Sequence, residues 1–227
     1  HKIDNSAGGQ AWIPKGSWGD YEGELMHLSY GQSKVFHVLK EKVKGLMQGG
    51  VVAFDPAGGF NAGIMRSRFN TNDQALYMCG LKGWQTSGVK DGGLYRMRYK
   101  PSTEFCRPIG MEVGQNGIRL TFSQVLDEKT ALDAGNFSIR QWVYHVSGKY
   151  GSKHYKVPKR KPWDHESEWI PLDETVLKEF SKKIFSSESE RKIALDTLLE
   201  KAQGEDAVTI KSISMGSDKK SIFLEIA

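Results

Sequence analysis

Cysteine is nearly absent: Cys79 and Cys106 are the only two in 227 residues. Neither belongs to a Cys-x-x-Cys or Cys-x-x-Cys-His run, so the chain carries no attachment motif for c-type haem and no cysteine-rich zinc site. The pair is either one disulfide of an exported protein or two buried free thiols, and the sequence leaves both readings standing. An apolar run of bilayer length is missing too. Hydrophobic residues make up 38% and charged ones 26%, and no stretch supplies the roughly 20 consecutive apolar residues that a spanning helix needs. Charge of one sign spread over a face is also lacking. The net charge is +5, but the excess gathers in one loop, which argues against a nucleic-acid partner. The chain opens on His1 with no charged-then-apolar leader after it, as expected of a processed product or a piece of a longer protein. Its length allows a full core without a metal or disulfide.

What the chain does hold, up to about residue 100, is glycine and short apolar runs, the texture of many short strands with tight turns. Strands are expected at 10–13, 23–29, 34–40, 50–54, 63–69, 75–81 and 94–99. Their regular spacing suits a sandwich or the four-stranded blades of a propeller, with room for about two blades. The clearest unit is the hairpin from Gly63 to Leu81, two apolar strands joined by a polar turn from Asn70 to Gln74. Its first strand carries Arg66 and Arg68, which a strand places on one face. Two guanidinium groups side by side require an anion, a carboxylate or water.

From Ile109 the texture changes. Alternation over 117–127, 136–144 and 208–214, with a turn at 217–220 and a last strand at 221–226, predicts a second, immunoglobulin-like sandwich. A two-helix insertion interrupts it at about 171–204. Asp173 is expected to cap a helix bearing Val176, Leu177, Phe180 and Ile184 on one face. Ser187 and Glu190 form a capping-box pattern ahead of Ala194, Leu195, Leu198, Leu199 and Ala202, with Gly204 as the stop. The stripes are read as packing on the sandwich or on each other. The fold expected is therefore mainly β: closing blades of a propeller over 1–105, then an Ig-like sandwich with a helical insertion over 106–227.

The runs Gly23 to Gly31, Lys34 to Val38, Arg66 to Phe69, Leu76 to Met78 and, most specifically, Gly80 to Thr86 resemble the last blades of the quinoprotein glucose and sorbosone dehydrogenase family. More closely, they resemble the large secreted sorbosone-dehydrogenase-like proteins of planctomycetes and their relatives, which often carry a separate cytochrome c domain. The likeness covers about 7–160 and resumes near Val208. It implies a periplasmic or extracellular parent that oxidises a sugar or alcohol, using pyrroloquinoline quinone with calcium and passing electrons to a cytochrome. It also implies that Arg66 and Arg68 contact the carboxylates of the quinone. The alternative at these positions is pairing with acids of a neighbouring blade, or lining an empty propeller channel. The family's base and calcium ligands lie upstream of the matching region, so this chain alone is expected to be catalytically silent and to associate with the remaining blades or a sister fragment. The rival reading is an exported, non-catalytic module that binds carbohydrate or a partner protein.

Other residues are read structurally first. His27 and His37 sit in strand contexts and are taken as packed or surface histidines rather than bases. Trp84 follows a glycine-flanked turn, where it wedges between blades or stacks on a sugar or quinone. Trp12, Trp18 and Tyr21 are core residues before they are a carbohydrate platform. Asp91 is a turn residue, and Asp127, Glu128 and Asp133 are acidic turn residues of the Ig-like region before they are calcium ligands. Lys156, Lys159, Arg160 and Lys161, with Lys149 and Lys153 nearby and Tyr150, Tyr155 and Trp163 interleaved, are either a polyanion-binding loop or a solvated connector.

Overall fold

The computed structural model describes residues 3–54, 59–101, 105–145, 151, 153–159 and 170–227. It is mainly β, with 43% strand in several antiparallel sheets, none closed, and three α-helices among the described residues. Nine strands come first: β1 (Ala7–Trp12), β2 (Leu25–Ser29), β3 (Lys34–Val43), β4 (Leu46–Ala53), β5 (Gly63–Asn70), β6 (Ala75–Leu81), β7 (Gly92–Met97), β8 (Pro108–Gly114) and β9 (Gly117–Phe122). A short helix α1 (Glu128–Ala131) leads to β10 (Ile139–Gln141), β11 (Val143–Tyr144) and β12 (His154–Tyr155). Then come α2 (Glu174–Ser181), α3 (Glu188–Ala202), β13 (Asp206–Val208), β14 (Ile210–Met215) and β15 (Ser221–Ile226).

Two compact units result, His1–Ala134 with Lys211–Ile226, and Gly135–Ile210 with Ala227. This division differs from the boundary at 105 and 106 read from the sequence, because β8 and β9 group with the earlier strands. The first unit contains a four-stranded meander, β1-β2-β3-β4, a three-stranded meander, β5-β6-β7, and a four-stranded sheet ordered β14-β15-β9-β8. The second contains the ribbons β10-β13 and β11-β12 together with α2 and α3.

Turn chemistry sets the registers. Lys44 and Gly45 both have positive φ, 49° and 88°, which gives the two-residue turn whose twist matches a hairpin. The β3–β4 ladder therefore runs unbroken from Phe36↔Ala53 to Val43↔Leu46, longer than the strands expected at 34–40 and 50–54. In the β5–β6 turn, Asn70 Oδ1 accepts from the Asn72 amide and Asp73 Oδ1 from the Ala75 amide. The core of the first unit joins Met26, Leu28 and Val35 of the first sheet to Ile64, Leu76 and Met78 of the second. The sheets meet closely where a Cβ on Gly8 would lie 2.1 Å from the Ile64 carbonyl oxygen, so β1 can approach β5 only because that position has no side chain.

In the second unit, Tyr155, Leu172 and Leu199 form a buried cluster, with Val176, Leu177, Leu195, Leu198 and Ala202 packed against it. The helical stripes thus pack on each other. Asp173 occupies the N-cap position of α2, but its carboxylate accepts from the Lys159 amide. Ser187 caps α3 by accepting from the Glu190 amide, and Glu190 accepts in return from the Ser186 amide. Ile184 is a correction: α2 ends at Ser181, and Ile184 is 97% exposed rather than a member of the helical stripe.

Candidate functional site

Residues of β5 alternate between the core and the outside. Ile64 and Ser67 are buried, while Arg66 and Arg68 are exposed on the opposite face. Register adds their neighbours: Cys79 of β6 and Leu94 of β7 stand in line with Arg66, and Tyr77 and Arg96 in line with Arg68. The outer face of the β5-β6-β7 sheet therefore carries Arg66, Arg68 and Arg96 around Tyr77.

The two β5 guanidinium groups are held by main chain alone. Arg66 Nη1 donates to the Met65 and Gly8 carbonyls at 2.8 and 3.2 Å, and Arg68 Nη1 donates to the Ser67 carbonyl at 2.7 Å. Neither forms an ion pair among the described residues, so the pairing with neighbouring acids that the sequence left open is not seen there. A guanidinium has five N–H donors, and most of those on Arg66 and Arg68 are free for an acceptor. Arg96 differs. Its Nη1 lies 3.9 Å from Asp73 Oδ2, the oxygen that accepts from the Tyr77 hydroxyl at 2.8 Å. The Tyr77 bond, helped by the Ala75 amide and Arg96, holds the Asp73 carboxyl below its usual range. Sequence reading missed Arg96 and Tyr77 because they join the β5 pair only through cross-strand register.

The other site residues fall elsewhere. Trp84 is 73% exposed in the turn after β6, where its carbonyl accepts from the Tyr30 hydroxyl at 3.3 Å. Its ring is not wedged in a core and makes no cation–π contact with either arginine. Cys79 and Cys106 are both free and exposed. They form neither the disulfide nor the buried thiols expected: Cys79 alternates with the buried Met78 and so lies on the outer sheet face. Lys156 and Lys159 are exposed in the second unit, and Arg160 and Lys161 lie outside the described residues.

His27 and His37 are packed. His27 Nε2 lies 2.6 Å from Asp4 Oδ2, and Asp4 also accepts from Ser29. His37 Nε2 lies 3.3 Å from Glu24 Oε2, and Tyr21 and Phe54 flank its ring. Trp18 and Tyr21 belong to the core, whereas Trp12 is exposed beneath the Lys40 ammonium. Asp127 caps α1, accepting from the Thr130 amide and hydroxyl. No group of three or more His, Cys, Asp or Glu suited to a metal occurs among the described residues.

The second unit holds a polar cluster with no sequence signal, since its members are far apart in the chain. His154 Nδ1 lies 2.8 Å from Glu205 Oε1, Arg140 Nη1 lies 3.4 Å from Glu205 Oε2, and the Trp142 ring stacks on His154 at 4.5 Å. Among the described residues, no helix is long and apolar enough to cross a membrane. No family model, curated protein or solved structure matches this chain.

Proposed function

We propose that this chain is the closing portion of an exported oxidoreductase of the sorbosone and glucose dehydrogenase type, and that Arg66 and Arg68 bind the carboxylates of its quinone. The observation that carries the reading is the state of the two arginines: exposed on one face, bonded to carbonyl oxygens only, with donors free. Paired guanidinium forks suit a planar polycarboxylate better than water or a single counter-ion. The four-stranded meander β1-β2-β3-β4 is compatible with a propeller blade, β5-β6-β7 is read as three strands of a second, and β14-β15-β9-β8 is read as a sheet of the Ig-like region, with Gly135–Ile210 inserted between its strands.

In this reading the two side chains fix and orient the cofactor and neutralise its charge. The bound quinone supplies two-electron oxidation of an alcohol. The proton acceptor and the calcium ligands come from blades outside this chain, which also cover the open sheet edges, and a cytochrome takes the electrons. The rival, a carbohydrate-binding module, draws on the exposed Trp84 ring.

The test is to isolate the natural product that contains this chain and record its mass, absorbance spectrum and dye-linked alcohol oxidation. A larger or tightly associated species with quinone absorbance is expected, its activity lost in Arg66→Ala/Arg68→Ala and partly kept in the double Lys variant. A colourless 25.4 kDa product that binds oligosaccharide through Trp84 would overturn it.

A further inference from the structure

In the first unit, lined mainly by segments that flank its strands, lies a cavity of about 400 Å³, within the size range of small-molecule sites. Trp18, Tyr21, Phe54, Phe60 and Tyr99 supply aromatic walls, and Phe105 stands at its exposed edge. Buried aromatic residues with polar tips ordinarily satisfy them. Trp18 does so, its Nε1 donating to the Gln74 carbonyl at 2.7 Å. Tyr21 does not. It is only 5% exposed and lines the cavity, yet its hydroxyl has no hydrogen-bond partner among the described residues, and neither has that of Tyr99.

The charges around the cavity have mostly one sign. Arg107 uses Nη1 on the Ala53 carbonyl at 2.9 Å, and its guanidinium lies over the Phe54 ring at 5.4 Å. The rest of its fork is free to donate. Lys100 is also on the lining, and Asp20 is the one carboxylate there among the described residues. Burial raises the Tyr21 pKa, with Arg107 opposing it, so at neutral pH the phenol keeps its proton and can donate. Arg107 cannot accept a hydrogen bond, which favours an acceptor-ended anion over a neutral sugar. The flat walls favour a ring over an acyl chain.

We propose that this cavity binds an aromatic carboxylate, with its ring among Phe54, Phe60 and Tyr99 and its carboxylate accepting from the Tyr21 hydroxyl and the Arg107 guanidinium. None of these residues is used in the proposed quinone contact, so the two readings stand or fall separately. The experiment is calorimetric titration of the full chain with 2-naphthoate and with its neutral isostere 2-naphthamide. Expected are saturable one-site binding of the acid, about tenfold weaker binding of the amide, and about tenfold losses for the acid in Tyr21→Phe and in Arg107→Gln, as for hydrogen bonds to a charged group. Circular dichroism identifies any variant that does not fold. If Arg107→Gln fails that check, Tyr21→Phe and the amide still decide. No saturation by millimolar naphthoate, equal affinity for the amide, or unchanged affinity in folded Tyr21→Phe would overturn the proposal.

Discussion

His37 is 1% exposed, and its surroundings set a pH dependence. Burial pulls its pKa below the ordinary 6.5, Glu24 draws it back up, and Lys40 pushes it down again. The Pro108 carbonyl also favours the proton, but Nδ1 has no partner in hydrogen-bonding geometry. The folded state thus holds fewer protons on this ring than the unfolded one at mildly acid pH. Its contribution to stability is fully present above 6.5 and falls as pH drops through the lowered folded value. Urea midpoints are expected to be level from pH 8 to 7 and to decline toward pH 5, with a shallower decline in His37→Phe; equal slopes in both proteins would refute this. Asp4 acts lower on the scale. Burial raises its pKa, but Ser29, His27 and the Ser6 amide outweigh that and hold it below 3.8, so its share is lost only as pH falls through that lower value. Ser67, between the two arginines but facing the core, buries a hydroxyl with no partner among the described residues. Since an unsatisfied buried polar group costs about 1 to 3 kcal/mol, Ser67→Ala is expected to stabilise the chain by about 1 kcal/mol in urea denaturation. A loss of stability would mean that the hydroxyl is bonded after all.

At the scale of elements, the seam between β1 and β5 is a place of close main-chain approach. A methyl group on Gly8 would overlap the Ile64 carbonyl, main chain that cannot swing aside. Gly8→Ala is therefore expected to destabilise by about 1 to 3 kcal/mol, as overpacked cores do, and to loosen the Arg66 bond to the Gly8 carbonyl. A thermal midpoint equal to that of the parent chain would show that the strands can separate freely. In the second unit, Ser187→Ala removes the α3 cap and should cost about 1 kcal/mol, seen as faster amide exchange in the first turn of α3. Local chemistry accounts for the features that were legible in the sequence. The 63–81 hairpin could be read because polar turn residues separate its alternating runs, and α3 because Ser187 and Glu190 announce it. The full length of β3–β4 was not legible, because Lys44 is an unusual occupant of a positive-φ turn position and the expected strands stop at 40 and begin again only at 50. Arg66 and Arg68 could be placed on one face from their spacing. Arg96 and the free Tyr21 hydroxyl could not, since cross-strand register and a cavity wall exist only after folding.

At the scale of the whole molecule, the first unit is discontinuous in sequence: residues 211–226 return to it after the second unit is complete. Within its third sheet, β15 lies between β14 and β9, paired from Ser221↔Thr121 to Glu225↔Gly117, and buries Ile222 and Leu224. The core joining the first two sheets draws its buried residues from Ile13 to Met78 and none from the C-terminal strands. A chain ended after Thr209 should therefore lose its structure unevenly. Amides of β9 that face the missing β15 are expected to exchange rapidly, since only β8 still flanks that strand, while those of β6, at the centre of β5-β6-β7, keep their protection. That outcome would make the boundary near residue 105 a folding boundary, even though spatial contacts group the strands on both sides of it. Loss of protection in β6 together with β9 would instead show that the three sheets of the first unit fold as one. The sheets β1-β2-β3-β4 and β5-β6-β7 could not then be inherited separately from β8, β9 and the C-terminal strands, which would count against the proposal that they are closing blades of a propeller.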